Sequence, residues 1–266
     1  MKINKLRNIK YIFLSIATIL AFLVFWQLIV SWGIVSQRAV ASPTQVFNTF
    51  IEKLTGSVVP DGQTLLQNIG TSLEIAMYGF LLGVVIGIPL GLLMGWYKVF
   101  KGLVRPIFEI LRPIPAIAWI PFTIIWFGIG FEAKVFIIFF SSLIPCVVNS
   151  YSGILMTNVD YVNVAKTCGA SNFQAFTRVG FQASLPYVFA GMRIGLGSAW
   201  ATLVAAEMLA ANSGLGYMIV MGRQFARPDI IILGMVTIGA IGLIITKLFE
   251  MLEKKILGRR YINAES

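Results

Sequence analysis

Between Tyr11 and Trp32 the chain runs 22 positions without an acidic or basic side chain, behind a start that carries Lys2, Lys5, Arg7 and Lys10. A helix needs about 20 apolar residues to cross the hydrocarbon core of a bilayer, so this stretch predicts a first membrane-spanning helix. Five further stretches follow at Leu73–Tyr97, Ile107–Gly128, Ala133–Leu155, Tyr187–Ala210 and Ile230–Leu252, with most polar residues gathered between them. The pattern predicts an all-α, polytopic membrane protein with six transmembrane helices, forming one domain over residues 1–266. Ala39-Val40-Ala41 has the small-residue character of a signal-peptide cleavage site. The apolar run, however, exceeds the roughly 7–15 residues of a signal core, and Ser36-Gln37-Arg38 intervenes, so the segment reads as a retained span.

Sorting Lys and Arg by alternate connection tests this division. Sixteen fall on the side of the N-terminus, and five, Arg38, Lys53, Lys134, Arg223 and Arg227, fall on the other. Cationic connections stay in the cytoplasm, which puts both termini there, with the spans against lipid. Composition sharpens the picture. The chain is 58% hydrophobic and 12% charged, about half the charge of a soluble domain, so a water-soluble protein is excluded. The net charge of +10 is then a topology signal and not a nucleic-acid surface. With no histidine, Ser-His-Asp chemistry and His-ligated metals are excluded. Cys146 in an apolar stretch and Cys168 in a polar connection suggest neither a disulfide framework nor a metal site. No catalytic residue and no metal is expected.

Inside the spans three patterns stand out. Gly79, Gly83, Gly87, Gly91 and Gly95 recur every four residues, a side-chain-free row that lets a second helix approach closely. Pro89 in the same span is expected to bend it. The third span is crowded with prolines, at Pro106, Pro113, Pro115 and Pro121, and should break or kink; freed backbone at membrane depth belongs where it is buried or lines a cavity. At its start Arg105, Glu109 and Arg112 stand four and three residues apart, spacing that allows a cytoplasmic charge clamp or gate.

The longest cytoplasmic connection, about 156–185, has its own pattern. Asp160 can cap a short helix over Tyr161–Cys168, and Gly169 supplies the left-handed residue at which it stops. Ser171-Asn172-Phe173-Gln174 fits a capping box that starts a second short helix. Val164, Ala165 and Ala170 sit at the corner, small side chains suited to docking in a groove of another protein.

The stretch Ala165-Lys166-Thr167-Cys168-Gly169-Ala170-Ser171, with Phe173, Gln174 and Val179, resembles the "EAA" loop of ATP-binding-cassette importer permeases. Asn163, Val164, Phe181 and Gln182 stand where that family has Glu, Ala, Leu and Pro, while Ala165, Gly169 and Val179 match. Arg112-Pro113-Ile114-Pro115-Ala116-Ile117-Ala118-Trp119-Ile120-Pro121, Trp126-Phe127-Gly128-Ile129-Gly130, Gly191–Gly197, Leu203–Ala211 and Gly214-Leu215-Gly216-Tyr217 are similar to the branch serving taurine, aliphatic sulfonates, nitrate and bicarbonate, most of all its taurine and sulfonate members.

The resemblance implies a type I importer permease fold. It also implies two permease copies forming a homodimer, two ATP-binding subunits and an extracytoplasmic substrate-binding protein. ATP and Mg belong to the ATPase partner, because the chain has no Gly-x-x-x-x-Gly-Lys-[Ser/Thr] loop. Asn163, Val164, Ala165, Lys166, Gly169, Ala170 and Ser171 become the expected coupling residues. Trp119 and Trp126 of the broken span, with Trp200, Thr202 and Glu207 of the fifth, become the expected translocation pathway or gate. Glu207 lies 14 residues past Arg193, about 21 Å along a helix, and an acid at that depth marks a functional or hydrogen-bonded position. A secondary carrier would show inverted repeats and ion-coordinating charges, and a membrane enzyme would need acids and bases this chain largely lacks.

Overall fold

The computed structural model describes residues 2–36, 39–210 and 212–258, with side chains from Phe13 onward except Ala210. Lys2, Lys5, Arg7, Lys10, Arg38, Arg259 and Arg260 of the charge count, and Ala211, lie outside the described side chains.

The described residues are all helical or connecting. Helices α1 (Lys2–Ser31), α2 (Pro43–Leu54), α3 (Leu65–Trp96), α4 (Lys98–Leu111), α5 (Ile120–Phe127) and α6 (Phe131–Leu155) form the first half. Helices α7 (Val159–Thr167), α8 (Asn172–Ala175), α9 (Phe181–Ala210), α10 (Leu215–Gln224) and α11 (Pro228–Leu257) form the second. Five segments are long and apolar enough to cross a membrane, Phe13–Ser31, Leu65–Trp96, Phe131–Leu155, Asn172–Leu209 and Pro228–Leu257; the pair α4 and α5 makes a sixth if counted as one broken span.

That pair is the break expected of the third span, with bounds that differ from the expected Ile107–Gly128. Helix α4 begins at Lys98, ends at Leu111, and meets a 3-10 turn at Ala116–Trp119 that leads into α5, with the two segments bent by 84°. Pro113 and Pro115 remove two amide donors within three residues and disfavour helical backbone in the residue ahead of each, so the ladder cannot be carried across. Pro89, an isolated proline, sits inside a continuous α3.

Helix α6 is the centre of the molecule, between α3 and α9. Ile137, Ile138, Cys146 and Val147 are fully buried there. The glycine row of α3 faces α6: a Cβ on Gly79 would lie 2.6 Å from Ile138, on Gly87 2.9 Å from Cys146, and on Gly95 2.7 Å from Ile154. Gly83 meets Ser142, and Gly91 meets Val147 and Ser150. With lipid tails as apolar as leucine, close backbone contact and dispersion hold such helices together. Helix α1 stands outside this block with its apolar side chains exposed, the surface that lipid would cover.

Local caps set the smaller elements. Ser42 with Gln45 and Thr64 with Gln67 form capping boxes that start α2 and α3. Asn158, and not Asp160, caps α7, its side chain accepting from the amide of Asp160 at 2.8 Å. Either residue type fits such a cap, and the two-residue shift leaves Asp160 in the first turn, where a carboxylate favours the helix dipole. Gly169 takes φ +86°. The Ser171–Gln174 capping box forms, but its helix is not a separate short one. Helix α8 passes through a π turn at Phe176–Gly180 straight into α9.

Candidate functional site

Four polar side chains of α6 and α9, together with the broken span, line an open cavity of about 490 Å³. Ser141 and Asn149 come from α6, Ser198 and Thr202 from α9, and Arg112 with Pro115–Ile117 from the break between α4 and α5. Ser141 Oγ lies 2.6 Å from Ser198 Oγ and 2.8 Å from Thr202 Oγ1. These three hydroxyls differ from Thr123, Ser142, Ser152, Ser184 and Thr237, each of which donates to a carbonyl three or four residues back on its own helix. Among the described residues the trio contacts only itself, so two contacts occupy two of three hydroxyl protons and one donor is left over. Pro145 also lines the cavity; lacking N–H, it leaves the Ser141 carbonyl without its usual helical donor.

A second polar cluster is closed around a buried acid. Glu207, 1% exposed, accepts from Ser72 Oγ at 2.7 Å through one oxygen and from the Gly216 amide at 2.8 Å through the other. Ser72 in turn accepts from the Leu215 amide at 2.9 Å, and Asn68 accepts from the Gly214 amide at 3.0 Å. Asn68 donates to Asp61, which pairs with Lys53, and Lys53 also donates to the Gln63 carbonyl at 2.7 Å. The network ties α2, α3 and α9 to the tight turn at Gly214, whose φ is +108°.

The five residues read as a pathway are thus spread over several environments. Thr202 lines the cavity, and Glu207 is held in the closed network. Trp200 faces α11, donating to the Ile238 carbonyl at 3.1 Å. Trp126 is exposed against Phe122, with ring centroids 4.1 Å apart, and Trp119 packs on Phe140 at 5.0 Å. The clamp residues are close but loose. Arg105 to Glu109 is 3.6 Å and Arg112 to Glu109 is 3.9 Å, with all three side chains about half exposed. Exposed pairs of this kind contribute about 0–1 kcal/mol.

At the elbow, Asn163, Val164, Lys166, Gly169 and Ser171 are exposed, and Ala165 and Ala170 half-buried. Phe176 in the π turn packs between Trp96 and Tyr97, at 5.5 and 5.9 Å, so the elbow also touches the end of α3. The sequence reading passed over Ser141, Asn149, Ser198, Asn68 and Ser72. Ser141-Ser142 inside an apolar span, and Ser198 four residues before Thr202 on one helix face, were the signals available.

Residues 83–261 match the family described as the binding-protein-dependent transport system inner membrane component. The chain belongs to this family of ABC transporter permeases. Similar proteins include a probable ABC transporter permease of Brucella melitensis, 40% identical over 192 residues, covering 72% of this chain and 78% of that one. The taurine transport system permease protein TauC of Escherichia coli is 32% identical over 246 residues, 91% of this chain and 88% of its own. Among solved structures, an inward-facing MetNI methionine ABC transporter matches with a TM-score of 0.60 at 22% identity, covering 73% of this chain and 94% of that one. The permease is therefore an all-helical, multi-pass membrane protein and a non-catalytic transmembrane subunit that works with ATPase subunits.

Proposed function

We propose that this permease carries a small anion, such as taurine or another sulfonate, into the cell, driven by a separate ATPase that grips the 160–182 loop. The assembly is read as two identical permease copies, two ATP-binding subunits holding ATP and Mg, and an extracytoplasmic binding protein that delivers the substrate. Both termini face the cytoplasm of a bacterial cell, with the permease in its inner membrane. Asn163, Val164, Ala165, Lys166, Gly169, Ala170 and Ser171 form the coupling surface.

The observation that carries this reading is helical continuity. The exposed elbow joins α8, the π turn and α9 without a break, and α9 brings Ser198 and Thr202 to the cavity. From Asn172 to Thr202 this is about 45 Å at 1.5 Å per residue, a lever from ATPase to substrate. A rigid element biased by nucleotide at one end and touching substrate at the other is what two-state switching needs. The similarity to a taurine permease and the cationic Arg112 support the anion.

Proteoliposomes holding the permease and its ATPase, supplied with binding protein and ATP, test it. Uptake of taurine or an alkanesulfonate should require all three components, and Gly169→Val, which strains φ +86°, should cut uptake while ATP hydrolysis persists. Accumulation without the ATPase overturns the reading.

A further inference from the structure

The proposed function leaves open which side chains of the permease hold the substrate and which part of the substrate they hold. We infer that the Ser141–Ser198–Thr202 hydroxyl cluster, with Arg112 at the rim, is a headgroup site for an organic oxyanion bearing a short apolar stem, an alkanesulfonate in chemical class. The inference rests on the anion-import reading and deepens it.

The first argument is charge. Among the described residues, Arg112 is the one ionisable side chain lining the cavity, and no acid lines it. Glu109 approaches Arg112 at only 3.9 Å, and both are about half exposed. The guanidinium, with five donors, therefore keeps most of its N–H groups for another partner. A single cation beside low-dielectric walls raises the local concentration of anions.

The second argument is the hydrogen-bond account. An oxyanion needs donors without competing acceptors. The hydroxyl trio keeps one O–H uncommitted, and its internal contacts can be exchanged for contacts to an anion, since a hydroxyl rotates to suit its partner. The serines and threonines that donate back to their own helix are already committed. Asn149 donates one N–H to the Pro145 carbonyl at 2.9 Å, and an amide nitrogen carries two.

The third argument is size and lining. The volume of about 490 Å³ equals roughly sixteen waters at about 30 Å³ each, far more than a bare inorganic oxyanion fills. Ile117, Ile144, Val148 and Ile194 supply the remaining wall, apolar surface for a carbon stem. Neutral donors at the deep end with the only cation at the rim hold an anion loosely, which conduction requires: binding strong enough to enter and weak enough to leave.

The site can be probed without transport. In the full chain co-expressed with its ATPase, exposed Cys168 is replaced by Ser and buried Cys146 is retained as the blank. Ser198→Cys is then reacted in permeabilised membranes with the anionic 2-sulfonatoethyl methanethiosulfonate and with its cationic trimethylammonioethyl analogue, each rate normalised to that of free 2-mercaptoethanol. The anionic reagent should be favoured about tenfold, and Arg112→Gln should remove most of that preference. Butanesulfonate should slow the labelling, whereas sodium chloride of equal ionic strength should not.

Equal rates, a cation preference, no labelling, or no protection by butanesulfonate overturns the site. Protection by sodium nitrate as strong as that by butanesulfonate overturns the organic class. In proteoliposomes, Thr202→Val should raise the half-saturating alkanesulfonate concentration about tenfold; an unchanged value overturns the headgroup role. An anion-selective, protectable cavity in a permease that accumulates no anion with ATP would leave the site standing and remove the importer reading.

Discussion

Two regions of the permease carry prolines and use them to opposite ends. In the block formed by α3, α6 and α9, Pro89, Pro145 and Pro186 each sit inside an unbroken helix. Between α4 and α5, Pro113 and Pro115 accompany an 84° break. The difference is what surrounds them. The block is held by glycine-mediated backbone contact along α3 and α6 and by the Glu207 network, so the loss of one amide donor per proline is absorbed. The broken segment has exposed Ile114, Ile117 and Trp126, two loose ion pairs and two prolines in three residues. The lesson is that the cavity lies along the boundary, with hydroxyls presented by the rigid side and Arg112 by the broken side.

This contrast makes variants of the block costly in stability and variants at the boundary costly in transport. The largest expected effect is Glu207→Ala. It leaves the Ser72 hydroxyl and the Gly216 amide buried without their acceptor, at roughly 1–3 kcal/mol each, so thermal unfolding in detergent should show a loss of about 2–6 kcal/mol. An average interhelical hydrogen bond in a membrane contributes only about 0.6 kcal/mol, and a loss of that size would mean the network is not a unit.

Next comes Gly87→Leu, whose Cβ would meet Cys146 and the Leu143 carbonyl at 2.9 and 3.0 Å. Overpacking of this kind costs roughly 1–3 kcal/mol, read as reduced assembly and a lower unfolding temperature. Normal assembly would mean that the seam yields and the block is softer than its packing indicates.

Thr202→Val should fall on the other side of the contrast. It keeps the side-chain shape and removes a hydroxyl whose partner is another hydroxyl, so stability should stay within about 1 kcal/mol while uptake suffers. A large stability loss would turn the trio into a structural cluster. The smallest effect belongs to Glu109→Ala. With all three clamp side chains half exposed, the change should lie below about 1 kcal/mol and shrink further in high salt.

Much of this architecture was legible in the chain. The apolar runs mark the spans, because a bilayer demands length and apolarity irrespective of partners. The Pro113-Ile114-Pro115 run marks the break, and Ser171 with Gln174 marks a helix start, since these effects act within a few residues. The cap of α7 was legible too and went to the wrong residue, Asp160, because Asn158 and Asp160 are equally good caps two positions apart. The short second helix was misjudged because nothing local says that a π turn will carry α8 on into α9.

The sequence by itself determined that the chain spans a membrane several times, that its third span breaks, and that an elbow with a left-handed glycine lies between the fourth and fifth spans. All of these follow from short-range backbone chemistry and from the solvent the chain must face. Only the tertiary structure decided which polar side chains meet. Ser141 finds Thr202 across 61 residues and Ser72 finds Glu207 across 135. It also separated Thr202 from Glu207, five residues apart on one helix, into an open cavity and a closed network. The physical reason is that a helix turns 100° per residue. Which neighbour each face meets is fixed by how whole helices pack, in this case by the glycine seam that sets α6 against α3, and by the broken span that leaves the other side of α6 and α9 open.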